Sequence, residues 1–333
     1  MPGYTSPMEK SLRLLGFATA LSLLPIVAVQ QAFAWGSDGH RMITHAAAAT
    51  LPADVPAFLR TPETIATLEY LTVEPDERWR QSDAEPELNA AQAPEHFIDL
   101  EWADLVGPLP RRRHDFIRAL DAAQKTHPDL AASLTPEKVG LQPWVTNEVW
   151  ERLKAAFREY RKEVAAKQDT HAVELTIIFY TGWLSHYVGD GSMPLHTTIQ
   201  YNGWTGPNPK EYTTEHHIHS QFESTYVHAH VARGDFQSLI PAKPTPIGDE
   251  FNDYLAYLRH TNTFVEQTYV LCKAGGFTEE GTPEGKTFAE ERLAAGAAML
   301  RDMIYAAWVQ SAQPVREYVD RDAKVPRPPE TAK

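Results

Sequence analysis

His186 and Asp190, and again His219 and Glu223, stand four residues apart, a spacing that sets an imidazole and a carboxylate side by side on one helix face. Between the pairs lies His196, beyond Gly191 and Pro194, which end the first helix and turn the chain. These five groups fall within 38 residues and offer nitrogen and oxygen but no thiolate. Zinc accepts such a set, and a coordination position left open makes the metal catalytic rather than structural. A second i, i+4 pair is what separates this pattern from an ordinary surface histidine.

The elements that must position these groups follow from periodicity. The run Val173, Leu175, Ile177, Ile178, Phe179, Leu184 predicts a helix over 171–188, and His219 and Glu223 sit in a second. Helices are also expected at 39–50, 53–60, 115–125, 251–272 and 288–308. Residues 144–167, with Val149, Leu153, Ala156, Phe157, Tyr160 and Val164 at helical spacing, read as scaffold. Residues 74–95, with Pro75, Pro86 and Pro94 among charges, read as irregular. Strand-like alternation is scarce. The fold class expected is therefore all-α: a mainly helical single domain whose ligands project into a shared cleft with a metal cluster at its base.

Ahead of this domain, Lys10, Arg13, the apolar run 14–29 and Ala32-Phe33-Ala34 have the layout of a secretory signal peptide at residues 1–34. The apolar run is shorter than a membrane span needs. Cleavage before Trp35 would send the protein to a periplasm or outside the cell. The tail 324–333, with Pro326, Pro328 and Pro329, reads as disordered, which leaves 35–323 as the domain. A formal net charge of −13 carries none of the basic footprint that non-specific duplex binding requires. A polyanion would have to be held by metal or by local arginine. Cys272, the one cysteine, excludes an internal disulfide, so stability rests on packing and on bound metal.

Signal cleavage makes Trp35 the first residue, with a free α-amine, and His40 follows it closely. Trp35, His40, the His-x-x-x-Asp pair, His196 and the His-x-x-x-Glu pair together resemble the superfamily of single-strand-specific zinc nucleases and bacterial zinc-dependent phospholipases C. The resemblance spans Trp35 to Glu223, specific in its motifs and weak between them. It implies three zinc ions: one on Asp76, His96, His186 and Asp190; a second on His196, His219 and Glu223; a third on the amine and carbonyl of Trp35, His40 and Asp190. Asp190 would bridge two of them. Glu74 and Glu77 flank Asp76 closely enough to stand in its place.

Such a cluster implies hydrolysis of a phosphodiester by a metal-activated hydroxide, because bound metal brings the pKa of water from about 15.7 to near 7. Asp76 and Asp190 would be the catalytic carboxylates, and Arg78 or Arg80 could bind a phosphate oxygen. Two substrates fit the resemblance. For single-stranded DNA or RNA speak Phe97 and Asp99, where the related nucleases stack and contact a base. For phospholipid speak Glu223, where those nucleases usually carry Asp, and the lack of disulfides. The nuclease is favoured, since the acidic chain shows no amphipathic interfacial stretch. No obligate protein partner is evident. His45, His114, His127, His171, His228, His230 and His260 match no motif and read as surface or hydrogen-bonded residues, and His216 and His217, beside His219, have no carboxylate four positions on.

Overall fold

The computed structural model describes residues 35–316. The signal peptide read at 1–34, the disordered tail read at 324–333 and the domain's end at 323 lie outside the described residues. Among the described residues there are fourteen α-helices: α1 (Gly36–Ala49), α2 (Pro62–Leu71), α3 (Glu74–Glu77), α4 (Pro86–Gln92), α5 (Leu100–Ala103), α6 (Arg113–Thr126), α7 (Pro136–Val139), α8 (Gln142–Ala166), α9 (His171–Asp190), α10 (Ile218–Ser220), α11 (Val227–His230), α12 (Glu250–Asn262), α13 (Val265–Lys273) and α14 (Pro283–Gln310). A π-helical turn, Gln221–Tyr226, joins α10 to α11 in one run. Among the described residues there is no strand, only two isolated bridges. The all-α expectation is met.

Local chemistry explains where helices start. Thr61 and Thr282 accept the Thr64 and Gly285 N–H groups at the heads of α2 and α14, each with proline in the first turn, and Asp249 caps α12 through Asn252 N–H. Three expectations need correction, the first being the helix at 53–60, which is only a 3₁₀ turn at Ala57–Arg60. Residues 74–95 are not irregular: α3, α4 and a 3₁₀ turn at Ala93–His96 form there. Their prolines occupy opening positions, where the missing N–H had no intrahelical partner to lose. The single helix expected over 251–272 divides after Asn262, where the Thr263 hydroxyl bonds the His260 carbonyl at 2.6 Å and the chain turns.

The scaffold is a set of long helices. α8 lies along α9, α14 packs on α1, α8 and α9, and α2 fits against α1 and α9. As expected, α8 is core: Val149, Trp150, Leu153 and Phe157 are fully buried, and the Trp150 indole donates to the Met303 carbonyl. Val164, near its end, is exposed. Between 181 and 190, α9 is buried except at Trp183, but between 171 and 180 only Val173 and Ile177 are buried. No helix among the described residues is long and apolar enough to cross a membrane.

Candidate metal centre

Each expected ligand side chain is buried, and together they form three groups: His40, His186 and Asp190; Asp76, His96 and His186; His196, His219 and Glu223. Six helical elements supply them, namely α1, α3, the 93–96 turn, α9, the 3₁₀ turn Pro194–Thr197 with His196, and the run from α10 into the π-turn. Gly189 lets α1 approach α9: a Cβ there would lie 2.8 Å from His40 Nδ1. His40 consequently stacks on the His186 ring, centroids 4.2 Å apart.

The ligand atoms are spaced for a cation. Asp76 Oδ1, His96 Nδ1, His186 Nε2 and Asp190 Oδ2 stand 2.9 to 3.9 Å apart in five of their six pairings. Four ligands at zinc distances of about 2.0–2.1 Å define a tetrahedron with edges of about 3.3–3.4 Å. In the third group, His196 Nε2, His219 Nε2 and Glu223 Oε2 are 2.9, 3.0 and 3.7 Å apart. Asp190 divides its oxygens, Oδ1 at 3.2 Å from His40 Nε2 and Oδ2 at 3.2 Å from His96 Nδ1, the disposition of a carboxylate shared between neighbouring groups.

Second contacts fix the imidazoles. His186, His196 and His219 each set Nδ1 against a main-chain carbonyl, of Thr72 at 2.8 Å, His96 at 2.6 Å and Tyr201 at 2.9 Å. A carbonyl only accepts, so Nδ1 carries the hydrogen and Nε2 turns a bare electron pair inward, as in metal-ligating histidine. Two such pairs face each other at 3.0 Å between His196 and His219, an arrangement that needs a proton or a cation between them. Asp76 Oδ1, His96 Nε2, Asp190 Oδ1 and Glu223 Oε1 are buried and make no hydrogen bond among the described residues. The chemistry of the donor set and these uncommitted atoms fit bound metal.

Electrostatics agree. Burial, then the neighbouring Asp190 charge, pushes the Asp76 carboxyl up to about 7, and burial pushes Asp190 up to about 8. Burial also holds His96 and His186 well below the usual imidazole range, which favours their neutral form. At His219 burial works against the proton, but Glu223 outweighs it and the pKa rises. A cation would replace the protons that these carboxyls otherwise hold.

The ambiguity among the three acids is resolved by burial: Asp76 lies inside, while Glu74 and Glu77 face outward toward Arg78, with Glu77 also bonded by Ser37. Trp35 is fully buried, its indole donating to Ser192 Oγ at 2.7 Å. Its main-chain N–H lies at Glu223 Oε2, 3.0 Å away, and its carbonyl takes the Gly39 N–H, so its backbone bonds elsewhere than at His40 and Asp190. Arg78 sits over the Tyr70 ring, whereas Arg80 turns inward to 3.5 Å from Asp76. Phe97 is half-buried and Asp99 buried, on an extended segment pinned by Ile98 N–H to the His196 carbonyl. Burial, then Glu101, pushes Asp99 up to about 8.

Trp35, His40, Asp76 and Glu223 also line a cleft of about 610 Å³, with Asp38 and His228 on its wall. His228 Nδ1 meets Asp38 Oδ2 at 2.5 Å. His228, expected as a surface or hydrogen-bonded residue, is 78% exposed and makes that bond. No family model matches the chain, and no curated protein is significantly similar to it.

Proposed function

We propose that the protein is an exported zinc-dependent phosphodiester hydrolase acting on single-stranded nucleic acid. The observation that carries the reading is the set Asp76, His96, His186 and Asp190, whose ligand atoms stand 2.9 to 3.9 Å apart in five of six pairings, with Asp190 facing a second group. Those four would hold one ion, His196, His219 and Glu223 another, and His40 with Asp190 and the cleaved amine of Trp35 a third. Bound zinc supplies positive charge against phosphorus and brings the pKa of water toward 7.

The chain's own residues orient the substrate. Arg80, beside Asp76, donates to a non-bridging phosphate oxygen. Phe97 offers a half-exposed ring to a base, a contact of roughly 1–3 kcal/mol. Asp99, protonated at neutral pH, can donate to that base's edge. The buried surroundings of His186 and Asp190 strengthen every charge interaction in the site. Because an α-amine binds metal and an amide does not, signal cleavage before Trp35 is required for the third ion.

Asp38 and Glu77 on the cleft wall favour a second reading, a phospholipase C taking a cationic head group. The deciding experiment is metal analysis of the purified mature protein with parallel hydrolysis of single-stranded DNA and phosphatidylcholine vesicles. About three zinc ions and cleavage of the DNA are expected. Phe97→Ala should weaken nucleotide hydrolysis about tenfold; if it impairs lipid hydrolysis instead, the second reading replaces the first.

A further inference from the structure

His96 takes part in two of the three ligand groups. Its ring belongs with Asp76 and His186, while its main-chain carbonyl accepts the His196 Nδ1 hydrogen at 2.6 Å and so aims His196 at His219 and Glu223. Whatever fixes this residue fixes both groups at once. His96 also lacks the restraint that His186, His196 and His219 share, since its outward nitrogen, Nε2, is buried and makes no hydrogen bond. Its ring is therefore held by packing and by the turn that carries it.

The residue that ties down that turn is Glu95. It is 6% exposed, and its two carboxylate oxygens face different helices: Oε1 accepts from Arg113 Nη1 of α6 at 2.7 Å, and Oε2 lies 3.3 Å from the Tyr187 hydroxyl of α9. Arg113 is anchored in turn by Glu148 of α8, through Nε at 3.1 Å and Nη2 at 2.9 Å. Tyr187 follows His186 in the chain, and its ring stands T-shaped to both His96 and His186, with centroids 5.6 and 5.3 Å away. On the other side of the turn the Leu141 N–H donates to the Pro94 carbonyl at 2.6 Å, and the Ile98 N–H to the His196 carbonyl at 2.9 Å. For stability alone an apolar side chain would fill the place of a buried carboxylate at least as well. What only the carboxylate supplies is a directional link from α6 and α9 to the residue beside His96.

We propose that Glu95 is a positioning residue: held by Arg113 and Tyr187, it sets His96 so that the ring completes one ligand group and the carbonyl orients another. It ligates no metal itself. The proposal rests on the metal-binding reading of those groups and on neither choice of substrate.

The test is zinc affinity, read by competition with a chromophoric chelator in two backgrounds. His219→Ala leaves the groups that share His186, and His186→Ala leaves the group of His196, His219 and Glu223. Into each goes Glu95→Gln, which keeps the side-chain shape and removes the charge, or Arg113→Gln, which removes the partner at a position 20% exposed. Glu250→Gln is the control, because Glu250 is equally buried and paired with Arg111, and neither of the two is a ligand or adjoins one in the chain. Loss of an outer contact that orients a ligand weakens metal binding about 10–100-fold, so Glu95→Gln and Arg113→Gln should each cost at least about tenfold in both backgrounds and Glu250→Gln less than about twofold. Melting temperature should fall in all three. A loss confined to one background, unchanged affinities in Glu95→Gln or Arg113→Gln, or an equal loss in Glu250→Gln overturns the proposal and leaves the metal centre standing. Failure of the unaltered protein to bind zinc removes the centre and the proposal together.

Discussion

The two halves of α9 invert the usual relation between sequence and burial. In the first half Leu175 is 54% and Phe179 39% exposed, while in the second Ser185, His186 and Asp190 are wholly buried. What distinguishes the halves is neighbours. The second half is enclosed by α1, α2, α8 and α14, and its polar groups meet partners from other elements: Ser185 from Thr72, His186 from Thr72 and His96, Asp190 from His40 and His96. Burial of polar groups is tolerated where each is answered, and a cation would answer those that remain.

The sharpest way to break this contrast is His186→Ala. It removes a ring shared by two of the ligand groups, so the protein should lose at least one zinc ion and all measurable phosphodiester hydrolysis; full metal content by mass spectrometry would refute the centre. Next in size is pH. With Asp76 and Asp190 raised from 3.8 to about 7 and about 8, the folded metal-free chain keeps protons that the unfolded chain releases near pH 4. Stability of the chelated protein should therefore fall as pH rises from about 4 to 8, and the gain in melting temperature on adding zinc should be larger at pH 8 than at pH 5. A zinc gain independent of pH would mean that the ion displaces no protons.

Two smaller effects separate the halves directly. Gly182 faces Leu71, where a Cβ would stand 2.4 Å from the leucine Cβ, so Gly182→Ala should cost about 1–3 kcal/mol in urea unfolding. Leu175→Gln, seven residues earlier on the exposed stretch, should stay within about 0.5 kcal/mol. Equal costs at the two positions would erase the distinction.

How much of this was legible follows from what kind of group carries it. Paired side chains at helical spacing announce themselves, so His186 with Asp190 and His219 with Glu223 could be read directly, and the long helices with them. The carbonyls of Thr72, His96 and Tyr201 carry no such mark, since every residue has one and only the fold aims it. Asp76 could not be told from Glu74 and Glu77 because the three differ in burial rather than type. The choice between Arg78 and Arg80 depended on which way a short helix ends.

The carbonyl bonds of the three imidazoles join residues separated by 114, 100 and 18 positions. Loop closure over such lengths is the work usually done by covalent bridges, and its entropic cost grows only slowly with span. Here the clasps are reversible: a chelator that empties the centre should loosen the segments around Thr72 and Tyr201 together, and hydrogen exchange there should rise as though one reducible link had been cut.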